Sequence, residues 1–143
     1  GPDKGDGSLR ATQNTAMQMG VTSNLAFSGS IPKAHVPEWL NKADIFINTT
    51  NIDNTPISVL EAMACGLCVV STNVGGIPYL LDDGKDALLV PPNDPEAMAM
   101  AVSRILTEPG LSAFISENAR KKVEKVDWSE VLPQWEEIIE KLL

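Results

Sequence analysis

The sequence predicts an α/β fold, a parallel sheet with flanking helices, on three observations. Short β-rich apolar runs alternate along the chain with stretches of helical periodicity. One run, Ala43-Asp44-Ile45-Phe46-Ile47, reads as a buried parallel strand and turns polar at Asn48, Thr49, Thr50 and Asn51, which marks its carboxyl end. The 143 residues, 43% hydrophobic and 21% charged, suffice for one core and suggest neither disorder nor a second domain.

The elements follow in order. A helix runs from Leu9 to Met19, then a strand from Leu25 to Ser28, and a short helix from Val36 to Asn41 leads into the strand Asp44 to Asn48. Thr55 suits the N-cap of the next helix, and Pro56 suits its first position, where the missing N–H would be unpaired anyway. That helix continues to Cys65, and Gly66 stops it. A strand Cys68 to Ser71, a turn of helix Ile77 to Leu81 and a strand Ala87 to Val90 come next, and three helices begin near Pro95, Leu111 and Ser129. The last helix carries an apolar stripe of Val131, Leu132, Trp135, Ile138, Ile139 and Leu142, with Trp128 before it. Such a stripe is expected to pack on its own domain, the alternative being a surface outside this chain, without which part of the stripe would be exposed.

Function concentrates between Asp53 and Gly76. Asp53 and Glu61 are separated by seven residues around the turn that opens a helix. The N–H groups near Ile57 and Ser58 have no intrahelical partner, and with the helix dipole they favour an anion; a diphosphate fits there. Glu61, one turn further in, can accept from both hydroxyls of a ribose, a match that a single hydroxyl or an amide cannot supply. Asp53 faces the same space from the loop and can accept from hydroxyls of a group beyond the phosphates. The pair would clasp both ends of a nucleotide sugar. The alternative is that both are helix-capping and surface acids.

At these residues the chain resembles the carboxyl-terminal, donor-binding lobe of the retaining nucleotide-sugar glycosyltransferases of GT-B fold, the glycosyl transferases group 1 type, whose two Rossmann-like lobes face each other. The resemblance rests on Asp53 through Glu61, on Glu61-Ala62-Met63-Ala64-Cys65-Gly66, on Val69 through Pro78, and on Leu88-Leu89-Val90-Pro91-Pro92 followed by Asp94-Pro95-Glu96. It implies that Glu61 holds the ribose and Asp53 touches the donor sugar, with Asn54, Thr55, Pro56, Ile57 and Ser58 completing the donor site. Ser30 and Ile31, in Phe27-Ser28-Gly29-Ser30-Ile31-Pro32, would recognise the nucleobase through their backbone. The family has a glutamate where this chain has Asp53, one methylene shorter, which alters the sugar hydroxyls it can meet. Residues 1–143 would then be a partial carboxyl-terminal domain, an incomplete Rossmann-like lobe without its first two strands and without the family's basic diphosphate residues.

The resemblance implies transfer of a hexosyl group from a nucleotide sugar such as a UDP-sugar to an acceptor hydroxyl, with retention, in polysaccharide biosynthesis. The acceptor, a saccharide or lipid, would be held by the missing amino-terminal lobe. No cofactor, metal or catalytic nucleophile is expected, and the chain alone should be inactive. Two other classes stand beside this one. A degenerate donor site would leave a non-catalytic nucleotide-binding or assembly module. A nicotinamide-dependent oxidoreductase is disfavoured because no strand is followed by G-x-G-x-x-G.

Composition narrows the partners. With 19 acidic against 11 basic side chains and a net charge of −8, the chain repels nucleic acid. No apolar run approaches the ~20 residues of a membrane span, and no secretory h-region is present, so the cytoplasm is the default compartment, with peripheral membrane contact left to the missing lobe. Cys65 and Cys68 form a C-x-x-C, but two cysteines and one histidine cannot complete a four-ligand zinc site, and both read as buried fillers. His35 reads as structural or solvated, Asp82-Asp83-Gly84-Lys85-Asp86 as a solvated connector, and the Asn48-Thr49-Thr50 sequon as chance. Gly75-Gly76 is either a phosphate nest or a loop needing positive φ.

In the doubly wound order 3-2-1-4-5-6, a strand three at Leu25 to Ser28 lacks its neighbours here, and strand four is left with an open edge. Unpaired edge donors and acceptors invite a second chain or a repacked amino terminus. The expected outcome is self-association on light scattering; a monomer with the native strand order would count against it.

Overall fold

The computed structural model describes residues 5–142 and divides into two units, one ending at Val36 and one beginning at Pro37. In the first unit α1 (Ser8–Gln18) buries only Ala16. The chain folds back on it through the Val21 N–H, which donates to the Ala16 carbonyl at 3.0 Å, and a single 3-10 turn spans Thr22–Asn24. Leu25 is extended, at φ −114° and ψ 135°, yet Leu25 to Ser28 joins no ladder among the described residues, which corrects the expected strand. A strand is completed by the donors and acceptors of a neighbour, and none of the described strands pairs with this segment. Leu25 and Phe27 are accordingly exposed. A second 3-10 turn, Lys33–His35, leads into α2 (Val36–Leu40).

The second unit holds a parallel sheet in the order β1 (Ile45–Asn48), β2 (Cys68–Thr72), β3 (Leu88–Val90), with Ile45 opposite Cys68 and Val70 opposite Leu88. All five residues of β2 are buried, which accounts for its unbroken run of small and apolar side chains. The connections are α3 (Ile57–Ala64) and α4 (Ile77–Leu80), and α5 (Pro95–Thr107), α6 (Leu111–Glu124) and α7 (Trp128–Glu140) follow β3. Val69 packs with Val59, Ala62, Met63, Ile77, Leu81 and Ala119. Val70 and Cys68 pack with Leu88, Val90, Ala101, Ile105 and Ile115. Helix α6 supplies Ala119 to one cluster and Ile115 to the other, so it ties the two together. Each fully buried Val, Ile or Met in these clusters contributes about 1.5–3 kcal/mol.

Helix α5 starts as its sequence requires. Pro95 occupies the first turn, and the Asp94 carboxylate accepts from the Ala97 N–H at 2.9 Å. The same chemistry opens α7, where Asp127 accepts from the Ser129 N–H at 2.9 Å. The expectation that the α7 stripe packs on its own domain is not met. No residue of α7 is buried; Trp135 is 57% exposed and Ile138 51%. The groove where α7 begins is lined on α3 and α6 by Leu60, Ala64 and Val123 together with Glu61, Arg120 and Glu124, and α7 itself contributes only Ser129 and Glu130 to it, not the stripe.

The acidic turn before β3 is not a solvated connector throughout. Asp86 is 2% exposed, and its carboxylate accepts from the Asp82 N–H at 2.8 Å and from Lys122 Nζ at 2.7 Å. Lys122 also reaches the Asp82 carboxylate at 3.2 Å, which fastens α6 to the turn. Burial works against the Lys122 ammonium, but the hydrogen bonds and charges of Asp86 and Asp82 outweigh it and raise its pKa. Lys122 in turn holds the Asp82 carboxyl below its ordinary value.

The signs set the pH window. The Lys122 contribution is complete below the ordinary lysine value of about 10.4 and is lost as pH rises through the raised value; that of Asp82 is complete above about 3.9 and is lost as pH falls through the depressed one. Lys122→Met should lower the urea unfolding free energy at neutral pH by about 2 kcal/mol, less than for a fully buried pair because the lysine is partly open to water, and both pH limbs should flatten.

Candidate donor-binding site

The parallel strands all end on one side, where an open α/β sheet presents its loops to a ligand. The segment from Asn48 to Pro56 leaves β1 there and enters α3. Three hydrogen bonds fix it to the end of β2 and the loop beyond. Asn48 Nδ2 donates to Ser71 Oγ at 3.1 Å, Thr72 Oγ1 donates to the Thr50 carbonyl at 2.6 Å, and the Gly76 N–H donates to the Asp53 carbonyl at 2.9 Å. The Asn48 side chain is thus engaged within the fold.

Gly75-Gly76 meets the loop before α3 backbone to backbone. Gly75 has φ +55°, and a Cβ on it would overlap the Asp53 carbonyl oxygen. A Cβ on Gly76, whose φ of −84° any residue adopts, would overlap the Asn54 carbonyl oxygen. Both glycines are required for close approach to Asp53-Asn54, and Gly75 also for its positive φ.

Helix α3 begins one residue later than expected. Pro56 is its N-cap, at φ −68° and ψ 106°, and its carbonyl accepts from the Val59 N–H at 3.0 Å; Thr55 does not cap it. Pro56 is buried and has no side-chain donor or acceptor, so no side chain caps the first turn that Ile57 and Ser58 open. Ile57 and Ser58 are exposed.

Glu61 sits one turn further, half-buried, in a groove of about 510 Å³ with Leu60, Ala64, Arg120, Glu124, Asp127 and Glu130 among its lining residues. Arg120 donates through Nε to Glu124 at 2.8 Å and through Nη1 to the Ala64 carbonyl at the end of α3. Hydrogen bonds from the Ser129 hydroxyl and N–H hold the Asp127 carboxyl low. With four carboxylates against one engaged guanidinium, this groove suits hydroxyl donors and not phosphate. A second groove, about 670 Å³, lies at the strand ends between Ile47, Thr49, Asn51, Thr72, Asn93 and Met98. Neither groove is lined by both Asp53 and Glu61.

The other candidates fall elsewhere. Ser30 and Ile31 belong to the first unit, Ser30 exposed and Ile31 half-buried. Cys68 is buried and donates to the Ser112 carbonyl at 3.2 Å; burial pushes its thiol pKa up, and it is a filler, not a nucleophile. Cys65 is free and half-buried. Two residues of the site area were not singled out by sequence. Arg120 is paired with Glu124 on α6, and Thr72 ends β2, one residue beyond the expected strand.

A family model described as glycosyl transferases group 1 matches residues 4–108. The chain belongs to this family. It is 29% identical over 119 residues to the D-inositol 3-phosphate glycosyltransferase of Saccharomonospora viridis, covering 83% of this chain and 28% of that protein. Among solved structures it is similar to the sucrose-phosphate synthase of Thermosynechococcus elongatus, with TM-score 0.85, 25% identity, and 99% of this chain matched to 37% of that one. It also shares its fold with Anabaena HepE in complex with UDP-glucose, at TM-score 0.83 and 20% identity over 93% of this chain and 36% of that one. The chain spans about a quarter to a third of the length of the curated relatives it matches. The three-stranded sheet with flanking helices is the fold of carboxyl-terminal domains of GT-B glycosyltransferases.

Proposed function

We propose that this chain is the donor-binding part of a glycosyltransferase that moves a hexosyl group from a UDP-sugar to an acceptor hydroxyl with retention. The observation that carries the reading is the start of α3, where uncapped amides at Ile57 and Ser58 stand one turn from the Glu61 carboxylate and directly after the fixed Asp53 loop. In this reading the diphosphate lies over the amides, Glu61 accepts from the ribose hydroxyls, and Asp53, with Asn54 and Thr55, meets the sugar. The amides stabilise the departing diphosphate, with no metal in that role. Relatives named as glycosyltransferases and a structural neighbour that holds UDP-glucose support the reading.

The acceptor, a saccharide or lipid, belongs to the amino-terminal lobe of a longer protein, and the chain by itself does not turn over. A second reading has one observation in its favour. Asp53 and Glu61 line no common groove among those described, which fits a nucleotide-binding module that performs no transfer.

Calorimetric titration with UDP tests the shared core of both readings. Glu61→Ala should weaken UDP binding by about 1.5–3 kcal/mol through loss of charge-assisted hydrogen bonds. Equal affinity in the two proteins would reject the assignment.

A further inference from the structure

We infer that Gly76, with Thr72 and Gly75, is a positioning residue that sets where the Asp53 carboxylate stands, an inference that rests on the reading of Asp53 as the sugar contact. Asp53 lies on a loop, and a loop residue holds a sugar hydroxyl usefully only if its backbone is fixed to within about 0.5 Å. The fixing is visible. The Gly76 N–H donates to the Asp53 carbonyl at 2.9 Å, and Thr72 Oγ1 holds the Thr50 carbonyl three residues earlier at 2.6 Å. Asp53 is thus restrained at its own carbonyl and upstream of it.

The glycines make this restraint possible. At Gly75 and Gly76 one backbone lies directly on the other, with the Asp53 and Asn54 carbonyls occupying the space a Cβ would need. Gly75 carries a second requirement, its φ of +55°, so a change there mixes strain with displacement. Gly76 does not. Its φ of −84° suits alanine, so Gly76→Ala perturbs only the spacing between the two loops. A methyl group at that point must push the Asp53 loop outward, and a shift of about 1 Å is enough to lose most of an oriented hydrogen bond. The start of α3 is held separately, by the burial of Pro56 and Val59, so its first amides and Glu61 stay in place.

The experiment compares affinities for UDP and UDP-glucose in the 143-residue chain, measured by calorimetry for the wild type, Asp53→Ala, Gly76→Ala and the double variant. The expected result is tighter wild-type binding of UDP-glucose than of UDP. Gly76→Ala should lose that preference by about tenfold, as Asp53→Ala does, with UDP affinity changed by less than about twofold and no further loss in the double variant. If Asp53→Ala removes the preference and Gly76→Ala leaves it intact, the positioning role is wrong and the donor-site reading stands. An equal weakening of both ligands by Gly76→Ala shows a purely structural role and overturns the inference. Should the wild type bind neither ligand, or bind both equally, the reading of Asp53 falls and this inference falls with it. If Gly76→Ala does not fold, Thr72→Val decides, because it removes one hydroxyl and keeps the shape. A loss of preference by about threefold supports the inference, and an unchanged ratio overturns it.

Discussion

Where Gly75-Gly76 lies on Asp53-Asn54, two backbones meet with no side chain between them, and the arrangement of the site follows from that contact. It joins the loop after β1 to the loop after β2 at one point, close to where the sheet ends. The Thr72 and Asn48 hydrogen bonds secure the loop upstream of it. Downstream the chain enters α3 through Pro56, which is buried and opens the helix. A hydrogen bond between two backbones contributes only about 1 kcal/mol to stability, but it fixes the direction of the loop.

The scaffold behind the loops is organised around β2 and α6. Strand β2 is central and buried throughout, and its alternating residues feed two apolar clusters. Helix α6 touches both clusters, accepts the Cys68 thiol through the Ser112 carbonyl and binds the buried Asp86 through Lys122. The charge pair is well placed for this work. Asp86 has one partner on the backbone and one on α6, so a carboxylate removed from water remains hydrogen-bonded on both oxygens.

Much of this was legible in the residues. The run Ala43 to Ile47 with its polar exit, the Pro95 helix start and the Gly66 stop all placed elements within a residue or two, because periodicity and capping are local. Leu25 to Ser28 has the composition of a strand, but pairing is a property of neighbours, which composition cannot supply. The α7 stripe was equally clear as a pattern and misleading as to contact, since an amphipathic helix does not say what it faces. Asp53 and Glu61 were singled out by their spacing, which places them around the start of α3 but does not say that they share a groove. The roles of Thr72 and Gly76 depend on contacts between segments over twenty residues apart, and the fold alone reveals them.

The backbone nature of the Gly76 contact separates scaffold from chemistry. Because the Asp53 carbonyl, and not its carboxylate, carries the restraint, the side chain at that position can be lengthened, shortened or neutralised without loosening its mount. A glutamate there would project one carbon deeper from the same fixed origin, and an asparagine would present a donor in place of an acceptor. The side chain at this point can therefore be exchanged like an interchangeable tip on a fixed holder.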